Sequence, residues 1–132
     1  MGLQYTDALV RAIVLTLLTA TTETATFTSG TATLPAGVKG DAAVVVNMDG
    51  DTAGTGSSVS LQVQSSPHGT ATWTNVGAAV AAASTGTAFR QTIPFDSGAV
   101  TGPDIRVVAT IAAGSGSTPS YKTSLALLAW VP

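Results

Sequence analysis

Turn-forming residues interrupt this chain about every ten positions, and residues that favour strands fill the intervals between them. Gly, Pro, Asn and Asp supply the interruptions, while Thr, Val, Ile and aromatic residues dominate the intervals. This regular spacing is typical of an all-β sandwich or barrel. The predicted strands are residues 10–19, 22–28, a short strand just before a turn at 35–40, and residues 42–48, 58–66, 72–76, 87–95, 104–112 and 121–131.

The number of intervals, about eight, is close to the number of strands in a double-sheet jelly roll. With 132 residues, the chain is long enough for one domain with one core. We therefore expect an all-β fold, a single jelly roll or β-sandwich of about eight antiparallel strands with an extended N-terminal arm. Residues 1–20 are expected to form the arm and the first strand, and residues 21–132 the β-sandwich domain.

Two segments are compatible with helix. Residues 10–19 form an apolar run too short for periodicity to separate strand from helix. Residues 77–84, GAAVAAAS, have the helix propensity of alanine but are too short to be stable alone. A one-turn helical crossover is therefore an alternative at residues 77–84.

The final predicted strand is apolar on both of its faces. Alternation places Leu125 and Leu127 on one face, and Leu128 and Trp130 on the other. Such a strand needs a core on one side and a second layer or a partner on the other. The sequence leaves two explanations open, namely contact with a partner or a central strand that its own domain covers.

The charge content excludes several classes of function and favours assembly. Only 9% of residues are charged and the net charge is -2, so a phosphate-binding basic patch is not expected and neither is a nucleic-acid partner. No apolar run approaches the ~20 residues of a membrane span. A surface with so few charges associates readily, which predicts a homo-oligomer.

The only histidine, His68, lies in the segment SSPHGT beside Ser65 and Ser66. A hydrolase needs a serine held against an imidazole, but neither serine lies in a G-x-S-x-G elbow. Pro67 and Gly69 are placed as in a β-turn, so His68 is expected to point to solvent at a loop tip. We therefore predict no catalytic residues and no enzymatic activity.

The segment NMDGDTAG is similar to the start of a calcium loop, with Asn47, Asp49 and Asp51 at alternate positions. The sixth position is Thr52 instead of the required Gly, and the twelfth is Ser58 instead of Glu. The segment is therefore expected to be an acidic, solvated turn. The chain has no cysteine, so thiolate zinc sites are excluded, and we expect neither metal nor cofactor.

Three stretches, residues 61–69 (LQVQSSPHG), 73–77 (WTNVG) and 105–111 (IRVVATI), resemble the hairpin-and-strand pattern of tailed-bacteriophage virion proteins. The pattern is most similar to the small jelly-roll capsid decoration, or cement, proteins, over residues 42–130. Those proteins often carry an acidic residue where this chain has His68.

The resemblance implies a protein on the outer surface of the virion that fastens neighbouring capsomers. Its implied partners are the major capsid protein and further copies of itself, commonly as trimers. We expect contacts through residues 2–12 and 125–132. The expected interface residues are Leu3, Tyr5, Leu125, Leu127 and Trp130.

Two alternative functions share the predicted fold. A neck or tail subunit of a virion has the same fold class and the same lack of chemistry. A carbohydrate-binding adhesion module would need exposed aromatic rings beside polar side chains, and Trp73 near Asn75 is the candidate pair.

Overall fold

The structure, a computed structural model, describes residues 11–38 and 40–131 of the chain. Within these ranges it contains strands and no α-helix, and hence no helix that could cross a membrane. The strands in chain order are β1 Arg11–Glu23, β2 Phe27–Thr28, β3 Ala32–Thr33, β4 Asp41–Met48, β5 Gly54–Thr55, β6 Ser58–Ser66, β7 Thr74–Asn75, β8 Val80–Ser84, β9 Phe89–Asp96, β10 Asp104–Ala112, β11 Ser115–Gly116 and β12 Tyr121–Val131.

The strands form two main antiparallel sheets. Sheet A has the order β1-β12-β4-β9. In sheet B, β10 pairs with β6 on one side and with the short strands β2 and β3 on the other, while β6 also pairs with β7 and β8. Each sheet therefore has four strand positions, and the predicted jelly roll or β-sandwich of about eight antiparallel strands is confirmed.

The order of strands in sheet A follows the Greek-key pattern. The last strand, β12, lies between the first strand, β1, and β4, so the two ends of the described chain meet in one sheet. This arrangement gives β12 a paired neighbour on both edges. It is paired on both edges from Thr123 to Leu128, and its two faces point to the core and away from it.

Strand β1 pairs with β12 from Arg11 opposite Val131 to Glu23 opposite Tyr121. The register shifts twice, between Thr16 and Leu18 and between Leu18 and Thr21, which marks bulges that bend the strand. The expected division at residue 20 falls inside β1, and this strand belongs to sheet A. Most of the expected N-terminal arm, including Leu3 and Tyr5, lies outside the described residues.

The core lies between the inner faces of the two sheets. Leu125 and Leu127 of sheet A and Leu61 and Ile105 of sheet B are each at most 2% exposed. Burial of one such side chain stabilises the fold by about 1.5–3 kcal/mol before conformational entropy is subtracted. The alternation that predicted strand β6 also holds, because Val59, Leu61 and Val63 all face this core.

The helical alternative for residues 77–84 is wrong. Val80–Ser84 form strand β8, which pairs with β6, and Ala83 is 1% exposed in the core. Pairing with a neighbouring strand and burial of an alanine outweigh the weak helix propensity of so short a segment.

Candidate functional site

The outer face of sheet A carries apolar residues on all four strands. Strand alternation aims every second residue of each strand away from the core, and the register brings these residues side by side. We call this surface the apolar face. It consists of Ala12 and Val14 of β1, Ala126, Leu128 and Trp130 of β12, Ala43 and Val45 of β4, and Pro94 of β9.

The apolar face includes an unusually exposed side chain. Val14 is 64% exposed, and it is the one large hydrophobic residue classed as exposed within residues 11–38 and 40–131. Leu128 opposite it is half-buried, as are Trp130 and Val45 elsewhere on the face. A continuous apolar patch on a protein surface often marks an interaction site, whereas single scattered apolar residues do not.

The outer face of sheet B is more polar than that of sheet A, with Val108 of β10 as one apolar residue on it. Its outward residues include Gln62 and Gln64 of β6, with Arg106 and Thr110 of β10 opposite or beside them. Arg106 Nε donates to Gln64 Oε1 at 2.8 Å, so this face satisfies its own polar groups. The two sides of the sandwich therefore differ, and only one is suited to burial against another protein.

Charged residues stand at the two ends of the apolar face. At one end, Asp41 of β4 lies opposite Asp96 of β9, and both are exposed. At the other end, Lys122 lies near an exposed ion pair between Arg90 and Asp49. Among the described outward residues, the first end is acidic and the second carries one excess positive charge.

Two clefts open onto the face near its basic end. The first, about 350 Å³, is lined by residues that include Ala20, Asn47, Lys122 and Ser124. The second, about 300 Å³, shares Ala20, Asn47 and Ser124 with the first and extends to Thr16, Leu18, Val45 and Ala126. The bulges of β1 lie beside these clefts, because they fall between Thr16 and Thr21.

The structure places the predicted interface residues on different sides of β12. Leu125 and Leu127 point into the core, at 2% and 0% exposure, while Trp130 lies on the apolar face. The sequence left open whether the final strand contacts a partner or is covered by its own domain, and each explanation fits one side of the strand. Its inner side is covered by its own domain, and its outer side is open to a partner.

His68 is mostly exposed at the turn after β6, and it contacts a buried carboxylate. Its Nδ1 lies 2.9 Å from Oδ1 of Asp104, which also accepts from the hydroxyl of Thr33, while Oδ2 accepts from the N–H of Gly69. The hydrogen bond with His68 is the main cause that lowers the pKa of Asp104, and burial opposes it. Sequence reasoning missed Asp104, which is 36 residues from His68 and reaches it only through the pairing of β6 with β10.

The arrangement around His68 lacks a serine nucleophile. Ser65 and Ser66 are fully buried, and their hydroxyls bond to Thr101 and Thr70. Ser66 Oγ also accepts from the N–H of Thr72. These bonds hold the turn after β6 in place. The His68–Asp104 contact attaches the same turn to strand β10.

Replacing His68 with Ala is expected to raise the pKa of Asp104 toward its ordinary value. A carboxyl group with a lowered pKa stabilises the fold above its ordinary pKa and loses that contribution as the pH falls through the lowered value. The variant should therefore be less stable than wild type near pH 6 but lose less stability as the pH falls, because less of its stability depends on the ionised carboxylate. Urea unfolding between about pH 2 and about pH 6 tests this, and superimposable profiles would contradict it.

The residues of the predicted acidic turn have separate roles. Asp49 pairs with Arg90, whereas Asp51 is 1% exposed and accepts from Ser57 Oγ at 2.6 Å. That hydrogen bond is the main cause that lowers the pKa of Asp51 to about 2; burial opposes the shift, and the N–H groups of Ala53, Gly54 and Ser120 support it. The expectation that this turn is solvated is wrong for Asp51.

Asp51 organises a buried polar network instead of a surface turn. Because Ser57 donates its proton to Asp51, the hydroxyl of Tyr121 donates to Ser57 Oγ at 2.5 Å. The network links the segment after β4 to the first residue of β12. Within the described residues, no group of three or more acidic or histidine side chains could hold a metal ion.

Trp73 is half-buried and stacks against Arg106, whose guanidinium carbon lies 4.2 Å from the ring centroid. Asn75, its proposed companion in sugar binding, accepts from Gln64 Nε2 at 2.9 Å. Trp73 and Asn75 thus both contact other side chains of sheet B.

No protein-family model matches the chain, and no curated protein matches it. The chain is similar to solved structures from infectious bursal disease virus. These include the T13 viral particle (TM-score 0.60, 16% identity, 92% of this chain and 31% of that chain), the VP2 subviral particle (0.57, 17%, 93% and 33%) and the Gt strain (0.55, 14%, 93% and 32%).

The chain spans about a third of the length of the solved chains it matches. At these identities the likeness establishes the fold, and it agrees with the jelly-roll topology of the two sheets.

Proposed function

We propose that this chain is a structural protein of a virion, which decorates the outer surface of a capsid and bridges neighbouring capsomers. The observation that carries the proposal is the apolar face of sheet A, on whose edge strand β1 Val14 is 64% exposed. A protein with one apolar and one polar outer sheet is suited to partial burial in an assembly.

The likeness to viral particle structures supports this setting. The matched chains come from a viral particle and a subviral particle, and they share the jelly-roll topology with this chain. The resemblance of residues 61–69, 73–77 and 105–111 to phage decoration proteins points to the same class of function. We extend these likenesses to the proposal that the chain contacts a major capsid protein and copies of itself.

The proposal assigns two surfaces to two partners. The N-terminal segment, with Leu3 and Tyr5, would contact the capsid, and the apolar face with Trp130 would contact another protein of the assembly. We propose no enzymatic role, because His68 is paired with Asp104, and the adjacent serines are buried and hydrogen-bonded to other residues.

A cryo-EM map of the intact source particle tests the function. We expect density for the two-sheet fold in many copies on the outer surface of the head. Density confined to the neck or tail would favour the alternative virion role, and absence of the chain from purified particles would refute both. Deletion of residues 1–8 should lower occupancy on the capsid relative to the full chain, and unchanged occupancy would remove that segment from the contact.

A further inference from the structure

We propose that two copies of this chain pair through their apolar faces, about a two-fold axis that lies in the interface perpendicular to the strands. The pairing deepens the proposed function, on which its biological setting rests. It is measured on the isolated chain, however, so a chain that pairs in solution but is absent from particles would refute only the virion role.

The charges at the ends of the face identify a second copy as the occupant. Rotation about the proposed axis reverses the strand direction, so the acidic end of one copy lies over the basic end of the other. Asp96 then lies over Arg90 of the second copy and Asp41 over its Asn47, with Lys122 of the second copy on the adjacent strand, and the contact occurs twice. Arg11 is also near the acidic end, but it alternates with the outward residues Ala12 and Val14 and is therefore not counted among the charges of this face.

The acidic end is unfavourable in the isolated chain. Asp41 and Asp96 are a directly opposed cross-strand pair, and like charges in this position destabilise a sheet. A cationic partner would convert this repulsion into attraction. The basic end of a second copy supplies such a partner, whereas a purely apolar partner would leave the two carboxylates without compensation.

The shape of the face also fits a second copy under the same rotation. The exposed Val14 and the half-buried Trp130 lie toward the acidic end, while the two clefts lie toward the basic end. With the ends superposed in reverse, Val14 falls over Thr16 of the second copy, at the wall of the smaller cleft. Trp130 falls over Ser124, which lines both clefts.

The area of the face is sufficient for a specific contact. Four strands about 4.8 Å apart, over roughly nine residues at about 3.4 Å each, give a footprint of roughly 590 Å². Two such footprints bury roughly 1,200 Å², just above the ~1,000 Å² expected of a biological interface. We therefore expect a pairing of moderate strength that depends on protein concentration.

The first experiment measures the mass of the full chain by sedimentation velocity over a range of concentrations. Wild type should form dimers, and Val14→Lys should weaken dimerisation about tenfold or more, because it buries a charge in the contact. Thr110→Lys is the matched control, since it adds the same charge to an exposed strand residue on the polar face of sheet B. Thermal unfolding of both variants checks that each is folded.

The second experiment reverses the charges at each end. One variant carries Asp41→Lys and Asp96→Lys, and the other carries Arg90→Glu and Lys122→Glu. Each alone should weaken dimerisation about tenfold or more, because like charges then meet at both contacts. An equimolar mixture of the two should restore pairing, since every contact again joins opposite charges.

Three outcomes would overturn the inference. The first is a chain that stays monomeric at every concentration. The second is a trimer, which the resemblance to decoration proteins implies but which the two-fold pairing does not produce. The third is a dimer that withstands both Val14→Lys and the charge reversals, because such a dimer would use another surface, for instance the outer edge of β1.

Discussion

Replacing Leu127 with Ala should lower the free energy of unfolding by about 3 kcal/mol. The Leu127 side chain is 0% exposed and lies in the core between the two sheets. Truncation removes buried apolar surface and leaves a cavity that the paired strands β1 and β4 restrain from collapsing. Urea unfolding monitored by circular dichroism measures the loss.

The adjacent residue provides the matched control for this substitution. Leu128 has the same side chain but points to the apolar face and is half-buried. Leu128→Ala should cost less than about 1 kcal/mol in the dilute chain and should instead weaken self-association. Equal losses of stability in the two variants would contradict the assignment of the two faces of β12.

Gly102→Ala should also be strongly destabilising, by about 2–3 kcal/mol. A β-carbon at this position would lie 2.3 Å from Cα of Pro67 and 2.4 Å from the carbonyl oxygen of Ser66. These atoms belong to the backbone of the turn that carries His68, so they cannot move aside as a flexible side chain would. The loop between β9 and β10 would have to separate from this turn.

Gly98, in the same loop, is the control for Gly102. An added β-carbon there would meet only the side chain of Asp96, at 3.3 Å. Gly98→Ala should therefore cost less than about 1 kcal/mol. Thermal unfolding of the two variants measures the difference, and a Gly102→Ala variant as stable as wild type would show that the loop is not in close contact with the turn.

The fold could be predicted from the sequence because its strongest signals are local. Alternation in β6 and β12, together with turn residues at regular spacing, identified most strands of the two sheets. The errors occurred where a local preference was weak. Residues 77–84 are rich in alanine, which does not favour a strand. Part of this segment becomes strand β8 because it pairs with β6.

The candidate site was predicted in part, because a surface depends on which strands are neighbours. Trp130 was identified from the apolar alternation of a single strand, but that alternation could not tell which side of β12 faces the core. Val14 joins the face only because β1 pairs with β12, and Pro94 only because β9 pairs with β4. These pairings join Val14 to Leu128, 114 positions apart, and Pro94 to Ala43, 51 positions apart, beyond the reach of periodicity.

The role of Asp104 illustrates the same limit for polar residues. His68 was correctly placed at an exposed turn, at 73% side-chain exposure. Its partner could not be inferred, since the contact requires the register of β6 against β10. The buried network of Asp51, Ser57 and Tyr121 was missed for the same reason, because Tyr121 is 64 residues from Ser57.

The most direct test of the account is the reactivity of single thiols on the two outer faces. The chain contains no cysteine, so Val14→Cys and Thr110→Cys each introduce a single reporter. In concentrated, associated protein, a maleimide should react slowly with the Val14→Cys variant and rapidly with the Thr110→Cys variant, and dilution should abolish the difference. Equal, concentration-independent rates at both positions would contradict the claim that the apolar face is covered by another copy.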